Sequence, residues 1–343
     1  MADSKITQLT ENTTPAVTDI IPMVDDPGGT PTTQKMTLSD LMKVIDGLTA
    51  DAAPDVTADF IPTYDTSASS AKKVLIANIL NNRPMEARLT LETGVPVSVT
   101  PQTAKTTLYL TPFKGNQVSV YTGSYWKTLT LSADISITLA GLTASRPYDV
   151  FVYDSSGTLT LELASWTNST TRATNLVSQD GILVKSGATT RRYIGTICIT
   201  STTGVCEDSY SRRLVYNYYN QVPRQLARIY IASHNYTTAA WRYWNNSKEN
   251  SQVEIVLGVA QNCMGVYRSN ITSLAGGGVS FSVDSGTAPS GSAKGEQLTN
   301  AGDSASSDEF VFGIGYHYWV AIEYGHAGGM NAERVSMTMT AMM

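Results

Sequence analysis

The chain has 343 residues, enough for two or three domains that each bury a core of their own. Only 15% of the residues are charged and the formal net charge is -5, which excludes a generic electrostatic grip on nucleic acid. Three cysteines, Cys198, Cys206 and Cys263, with no CxxC spacing, argue against a secreted disulfide scaffold and against a zinc site.

Ser, Thr and Gly fill the places that Lys and Glu take in helical proteins, and 18 Tyr stand against 6 Phe. That balance suits the half-solvated faces of sheets and predicts a mainly β fold. Met1-Ala2-Asp3-Ser4 lacks the basic and apolar regions of a signal peptide, and the apolar run Phe310–Ile322 is too short and too polar to span a bilayer. Cys198 and Cys206 either pair across a hairpin or stay as free thiols in a reducing cytoplasm.

An internal repeat opens the chain. Asp19-Ile20-Ile21-Pro22-Met23-Val24-Asp25 recurs as Asp59-Phe60-Ile61-Pro62-Thr63-Tyr64-Asp65, and Lys35-Met36-Thr37-Leu38 matches Lys73-Val74-Leu75-Ile76. Each unit, 1–46 and 47–84, is expected to run from an extended stretch through a loop to a short helix, near Leu38–Ile45 and Ile76–Asn82. Pro22 and Pro62 cannot donate to a ladder, so the extended stretches belong at an edge or against another chain. Units this small cannot bury a core alone, which leaves a mini-domain packed on its own copy or a docking module ordered by a partner. The docking reading rests on Asp19, Ile21, Pro22, Asp59, Ile61 and Pro62.

From Leu108 the signal is β. Ile135, Ile137 and Leu139 alternate with polar residues, as do Leu159, Leu161 and Leu163. Asp154-Ser155-Ser156-Gly157 and Ser186-Gly187-Ala188 read as hairpin turns. This middle β-domain is expected over 85–222. Val222-Pro223-Arg224 marks a boundary, and 223–343 is expected to form a second antiparallel sandwich of jelly-roll type. Its strands are expected at Arg228–Ala232, Val253–Ala260, Val279–Val283, Phe310–Val320 and Val335–Met339.

The candidate chemistry is thin. Asp25-Asp26, Glu207-Asp208 and Asp308-Glu309 are adjacent carboxylates whose side chains point to opposite faces of a strand, so they read as loop solubility rather than acid/base pairs. His234, His317 and His326 are too scattered for a metal site, and Glu323 and His326 fall on opposite strand faces. No phosphate-binding glycine loop occurs, so no cofactor is expected. The arginines at 191–192 and 212–213 read as local ion pairs or subunit contacts. The one constellation with a binding chemistry is Tyr236, Trp241, Tyr243 and Trp244 before Asn245-Asn246. Aromatic faces beside amides stack on sugar rings and hydrogen-bond their hydroxyls, while the competing reading is core tryptophan at a sheet edge or subunit seam.

With these segments in view the sequence resembles a group of tailed-bacteriophage virion proteins. The resemblance lies in Lys5-Ile6-Thr7-Gln8-Leu9-Thr10, Asp19–Pro27 and Thr32–Leu38, and in Tyr109-Leu110-Thr111-Pro112-Phe113-Lys114-Gly115-Asn116, Tyr148–Phe151, Trp166-Thr167-Asn168 and Lys185–Tyr193. It covers roughly residues 1–222 and implies a non-enzymatic virion protein: a tail fibre, a head fibre or a decoration protein. The expectation is a short homotrimeric appendage, docked on other virion proteins by its N-terminus and contacting host glycan through its C-terminal part. A capsid cement protein and a glycan-modifying enzyme are the competing classes.

Overall fold

The computed structural model describes residues 20–25, 32–37, 60–65, 70–75, 83–274, 277–290, 296–297 and 302–343. The chain divides into two units, Met1–Leu75 and Ile76–Met343. It is mainly β, built from largely antiparallel sheets, and among the described residues no helix is long and apolar enough to cross a membrane.

The first unit holds two hairpins, β1 (Ile20–Asp25) with β2 (Thr32–Thr37) and β3 (Phe60–Asp65) with β4 (Ser70–Leu75). Their registers coincide: Pro22 faces Lys35 and Pro62 faces Lys73, with six paired positions in each. In a two-stranded sheet every strand is an edge, so a proline that cannot donate is tolerated. The second arm of each repeat is therefore strand where a loop was expected. The expected helices, Asp19 and Asp59 lie outside the described residues.

In the second unit, β5 (Ala87–Thr90), β6 (Gln102–Lys105), β7 (Thr107–Pro112), β8 (Gln117–Tyr121), β9 (Trp126–Thr130) and β10 (Ile135–Thr138) come first. β11 (Pro147–Ser155), β12 (Thr158–Ser165), β13 (Leu176–Gln179), β14 (Ile182–Lys185) and β15 (Ala188–Cys198) follow, then the short β16 (Cys206–Asp208), β17 (Arg212–Arg213) and β18 (Val215–Asn217). The last third supplies β19 (Pro223–Tyr236), β20 (Trp241–Tyr243), β21 (Gln252–Leu257), β22 (Gln261–Leu274), β23 (Gly278–Val283), β24 (Glu296–Gln297), β25 (Gly302–Phe312), β26 (Gly315–Tyr324) and β27 (Met330–Met342).

Turn chemistry sets the hairpins. Ser156 and Gly157 both take positive φ, 52° and 92°, between β11 and β12, which is what a tight two-residue hairpin turn demands. Asp180-Gly181 does the same between β13 and β14. The expected strand Phe310–Val320 is instead two strands, β25 and β26. Gly315 takes a φ of +113°, and a Cβ there would overlap the Ser169 backbone, so the chain turns at a residue only glycine can supply.

β12-β11-β15-β14-β13 form one sheet, with β18 beside β15. β24-β23-β26-β21-β17-β16-β6 form the largest, with β20 beside β26, and β19-β27-β22-β25 a third. The last two pack face to face as a sandwich. Tyr267 and Met337 of the third sheet and Phe281 and Trp319 of the largest are all buried in one core, with the Tyr267 and Phe281 rings 6.3 Å apart. The largest sheet draws strands from both sides of Val222, through the parallel pairing of β17 with β21.

The same seam is held by a buried charge pair. Asp149, 2% exposed on β11, takes two bonds from Arg172 (2.7 and 3.2 Å) and one from the Thr196 hydroxyl at 2.8 Å. Burial pushes the Asp149 pKa up, and the Arg172 and Thr196 bonds oppose this only in part. Arg172 also donates to the Gly258 carbonyl at 2.6 Å, just past β21. A side chain at Gly258 would overlap the Tyr193 hydroxyl, so glycine permits this close approach. Asp149→Ala leaves the guanidinium buried without its carboxylate. It should cost about 3–5 kcal/mol of unfolding free energy, read from the urea midpoint at unchanged m-value.

Candidate functional site

The four aromatic residues marked by the sequence do come together, at the end of the largest sheet, but they divide between its two faces. β20 pairs with β26 so that Trp241 faces Tyr324, Arg242 faces Glu323 and Tyr243 faces Ile322. Alternation along the strand then puts Trp241 and Tyr243 on one face and Arg242 on the other. Trp241 and Tyr243 are half-buried, Tyr236 is 8% exposed and Trp244 is fully buried. Trp244 is thus a core residue and no contact surface: its ring packs edge-on to His234 at 5.4 Å, under the turn at 244–246.

On the outer face, Tyr316, Tyr318 and Tyr324 of β26 lie at alternate positions, all half-buried, beside Trp241 and Tyr243. The Trp241 and Tyr324 rings are 5.3 Å apart. Lys248 sets its Nζ 3.7 Å over the Tyr318 ring and 5.9 Å from that of Tyr243. This strip of half-exposed rings was legible in part as the alternation Tyr316-x-Tyr318. What hid it was the apolar run in which the tyrosines sit.

The inner face holds a buried carboxylate. Glu323 is 0% exposed. It accepts from Arg242 Nε at 2.7 Å, His234 Nε2 at 2.6 Å and the Asn245 backbone N–H at 3.1 Å. The Arg242 guanidinium also stacks 3.6 Å over the Tyr236 ring. The Asn245 N–H reaches the carboxylate because Asn245 adopts a left-handed conformation, φ 47° and ψ 37°. His234 Nδ1 is hydrogen-bonded to the Ala232 carbonyl at 2.9 Å, which fixes the ring between two acceptors. The partner of Glu323 is therefore His234, 89 residues away, and not His326, which is exposed at a turn. Fully buried and taking all three donors, Glu323 fixes the aromatic corner.

The other expected chemistry falls out as structure. Glu207 and Asp208 are not loop carboxylates: they lie on β16, Glu207 paired with Arg212 at 3.3 Å and Asp208 with Arg213 at 2.8 Å and Arg224 at 3.1 Å. Arg191 pairs with Glu162 at 3.1 Å, while Arg192, 1% exposed, donates to the carbonyls of Arg83, Pro84 and Ser119. His317 pairs with Asp284 at 2.7 Å. All three cysteines are free and buried. Among the described residues no three His, Cys, Asp or Glu side chains gather as a metal site. Of the docking residues, Ile21 and Pro22 lie on β1, and Ile61 and Pro62 on β3.

No family profile matches the chain, and no curated protein matches it in sequence. Among solved structures it is similar to wild-type BuGH86 in complex with neoagarooctaose at 10% identity and a TM-score of 0.19, covering 70% of this chain and 34% of that one. It is also similar to a Bacillus thuringiensis Cry1Da tryptic core variant at 7% identity and a TM-score of 0.18, covering 80% of this chain and 55% of that one. The structure of the infectious bursal disease virus Gx strain gives 13% identity and a TM-score of 0.20, covering 73% of this chain and 74% of that one. The chain spans about a third of the length of the first of these. Likeness at this level carries no functional argument.

Burial works to lower the pKa of His234, but the hydrogen bond and charge of Glu323, with the Ala232 carbonyl, outweigh it and the net direction is up from 6.5. The stabilisation is complete below 6.5, the unfolded value, and is lost as the pH rises through the higher folded value. Urea unfolding should therefore show stability declining from pH 6.5 upward, and His234→Gln should flatten that decline. An unchanged slope in the variant would separate His234 from the pH dependence.

Proposed function

We propose that this chain is a structural component of a tailed-bacteriophage particle. It acts as a short, fibre- or spike-like homotrimer attached to other virion proteins by its N-terminal repeats. The observation that carries this reading is the pair of hairpins in one register. A lone two-stranded hairpin is marginal in water, so a chain that duplicates one ahead of a large β unit is equipped to borrow a partner's surface. The resemblance over residues 1–222 points the same way.

Self-association is favoured by one sheet face. Of the eight large apolar side chains exposed among the described residues, five (Ile229, Ile231, Met264, Val311 and Met342) share the outer face of β19-β27-β22-β25. Scattered single exposures are ordinary, but five on one sheet face mark a surface that a partner covers. In the homotrimer that partner is another copy. The strip of Trp241, Tyr243, Tyr318 and Tyr324 is then the outward contact face, of a chemistry suited to stacking on host-surface glycan.

Mass spectrometry of purified particles of the encoding phage should find this protein at a fixed stoichiometry, and a chain lacking residues 1–82 should be absent from them. Particles carrying Trp241→Ala with Tyr243→Ala should assemble and adsorb more weakly. Two rings at about 1 kcal/mol each correspond to roughly 30-fold in a single contact. Protein confined to the lysate, or truncated chain incorporated normally, would overturn the assignment.

A further inference from the structure

The sheet β19-β27-β22-β25 ends on two edges of opposite character. At the β19 edge a cavity of about 250 Å3 opens beside Gln225. The charged side chains of its lining are Arg213 and Arg224, which share the one carboxylate of Asp208 and so keep one positive charge over. Arg224 leaves 11% of its side chain open. Val99, 83% exposed, and Tyr210, 48% exposed, also line the cavity, and Pro223 joins it to Met342 on the apolar outer face. The β25 edge carries Asp303, Asp308 and Glu309 with no Lys or Arg, and near its end Val311 is 75% exposed. The two edges are level. Gln225 of β19 pairs with Thr340, Thr340 with Met264, and Met264 with Glu309 of β25. All three pairings are antiparallel, so β25 runs opposite to β19.

A threefold axis joins each surface to a different one, never to itself. Three copies that turn the apolar face of this sheet toward an axis along the strands form a triangular prism, with the aromatic strip on the outside. At each corner the β25 edge of one copy meets the β19 edge of the next. Rotation about that axis preserves strand direction, so the two meet antiparallel. We infer that the end of β25, Asp308 to Val311, docks over the Arg213–Arg224 cavity of the next copy. Acid meets the excess positive charge, Val311 covers Val99 and Tyr210, and the level row brings them together without an axial slide. At this height β19 already has partners: Arg213 donates to the Gln225 carbonyl, and the Ala227 N–H donates to the Tyr210 carbonyl. The contact there is therefore made by side chains and not by a continued ladder. Closing the ring also covers two long edges that would otherwise invite open-ended pairing. The inference rests on the homotrimer proposed above and names the surfaces that form it.

Val99→Cys and Val311→Cys, at exposed positions, are made singly and together in the full-length protein, whose own cysteines are buried, and treated with a short bismaleimide. The double variant should give covalent species that stop at three chains, and each single variant none. Asp308→Lys with Glu309→Lys should raise the dissociation constant of the trimer by about tenfold or more in sedimentation, with an unchanged circular dichroism spectrum. If the charge variant does not fold, the crosslinking decides alone. Crosslinking of either single cysteine variant overturns the inference, because an edge would then meet itself. So does a ladder that does not stop at three, an unmoved dissociation constant in folded charge variant, or a monomer by light scattering at micromolar concentration. A trimer whose double variant stays uncrosslinked overturns this contact and leaves the virion reading standing. Particles that lack the protein do the reverse.

Discussion

Glu254 is the knot of this structure. Its carboxylate, 8% exposed, accepts from three strands: Arg212 of β17 and Gln252 of β21 on Oε1, each at 2.8 Å, and the Tyr316 hydroxyl of β26 on Oε2 at 2.9 Å. Among the described strands, β17 with β21 is the one pairing that joins the chain before Val222 to the chain after it, and it comprises two paired positions in parallel. Parallel pairing is the weaker kind per residue, and two positions of it cannot hold sheets of this size together. Backbone bonds from Ala227 to Tyr210 and from Tyr316 to Ser169 add to it, and Glu254 is where the side-chain bonds converge. The same convergence leaves Gln252 Oε1 buried without a protein donor.

The pattern recurs. Asp149 with Arg172, Glu254 with Arg212, and Glu323 with Arg242 and His234 are each a buried carboxylate met by a cation from another element. A chain with so few charges keeps its best-defined ones inside. Buried pairs of this kind add little net stability over an apolar replacement, yet each allows one arrangement of its strands, because a shifted register leaves a charge unpaired. They therefore specify how the sheets meet, while the stability comes from the apolar layer of Trp319, Phe281, Tyr267 and Met337.

What the sequence made legible was local. The turn at Ser156-Gly157 and the alternation of Leu159, Leu161 and Leu163 follow from neighbouring residues. β22 went unread because Gly265 and the polar residues around Asn270 break its apolar period, and its pairing with β27 is what makes it a strand. The break at Gly315 was masked by apolar residues on both sides. Trp244 and Trp241 looked equivalent in sequence. A left-handed turn at Asn245 and the pull of Glu323 send one into the core and leave the other at the surface. Contacts such as His234 with Glu323, spanning 89 residues, leave no mark at short range.

The central claim is that residues on both sides of Val222 form one cooperative body tied at Glu254. Hydrogen–deuterium exchange of the full-length protein, followed by mass spectrometry across increasing denaturant, tests it directly. The account predicts that the amides of β11 and β15 lose protection in the same step as those of β21 and β26. Two separate steps divided near Val222, with β15 opening while β26 stays protected, would contradict it.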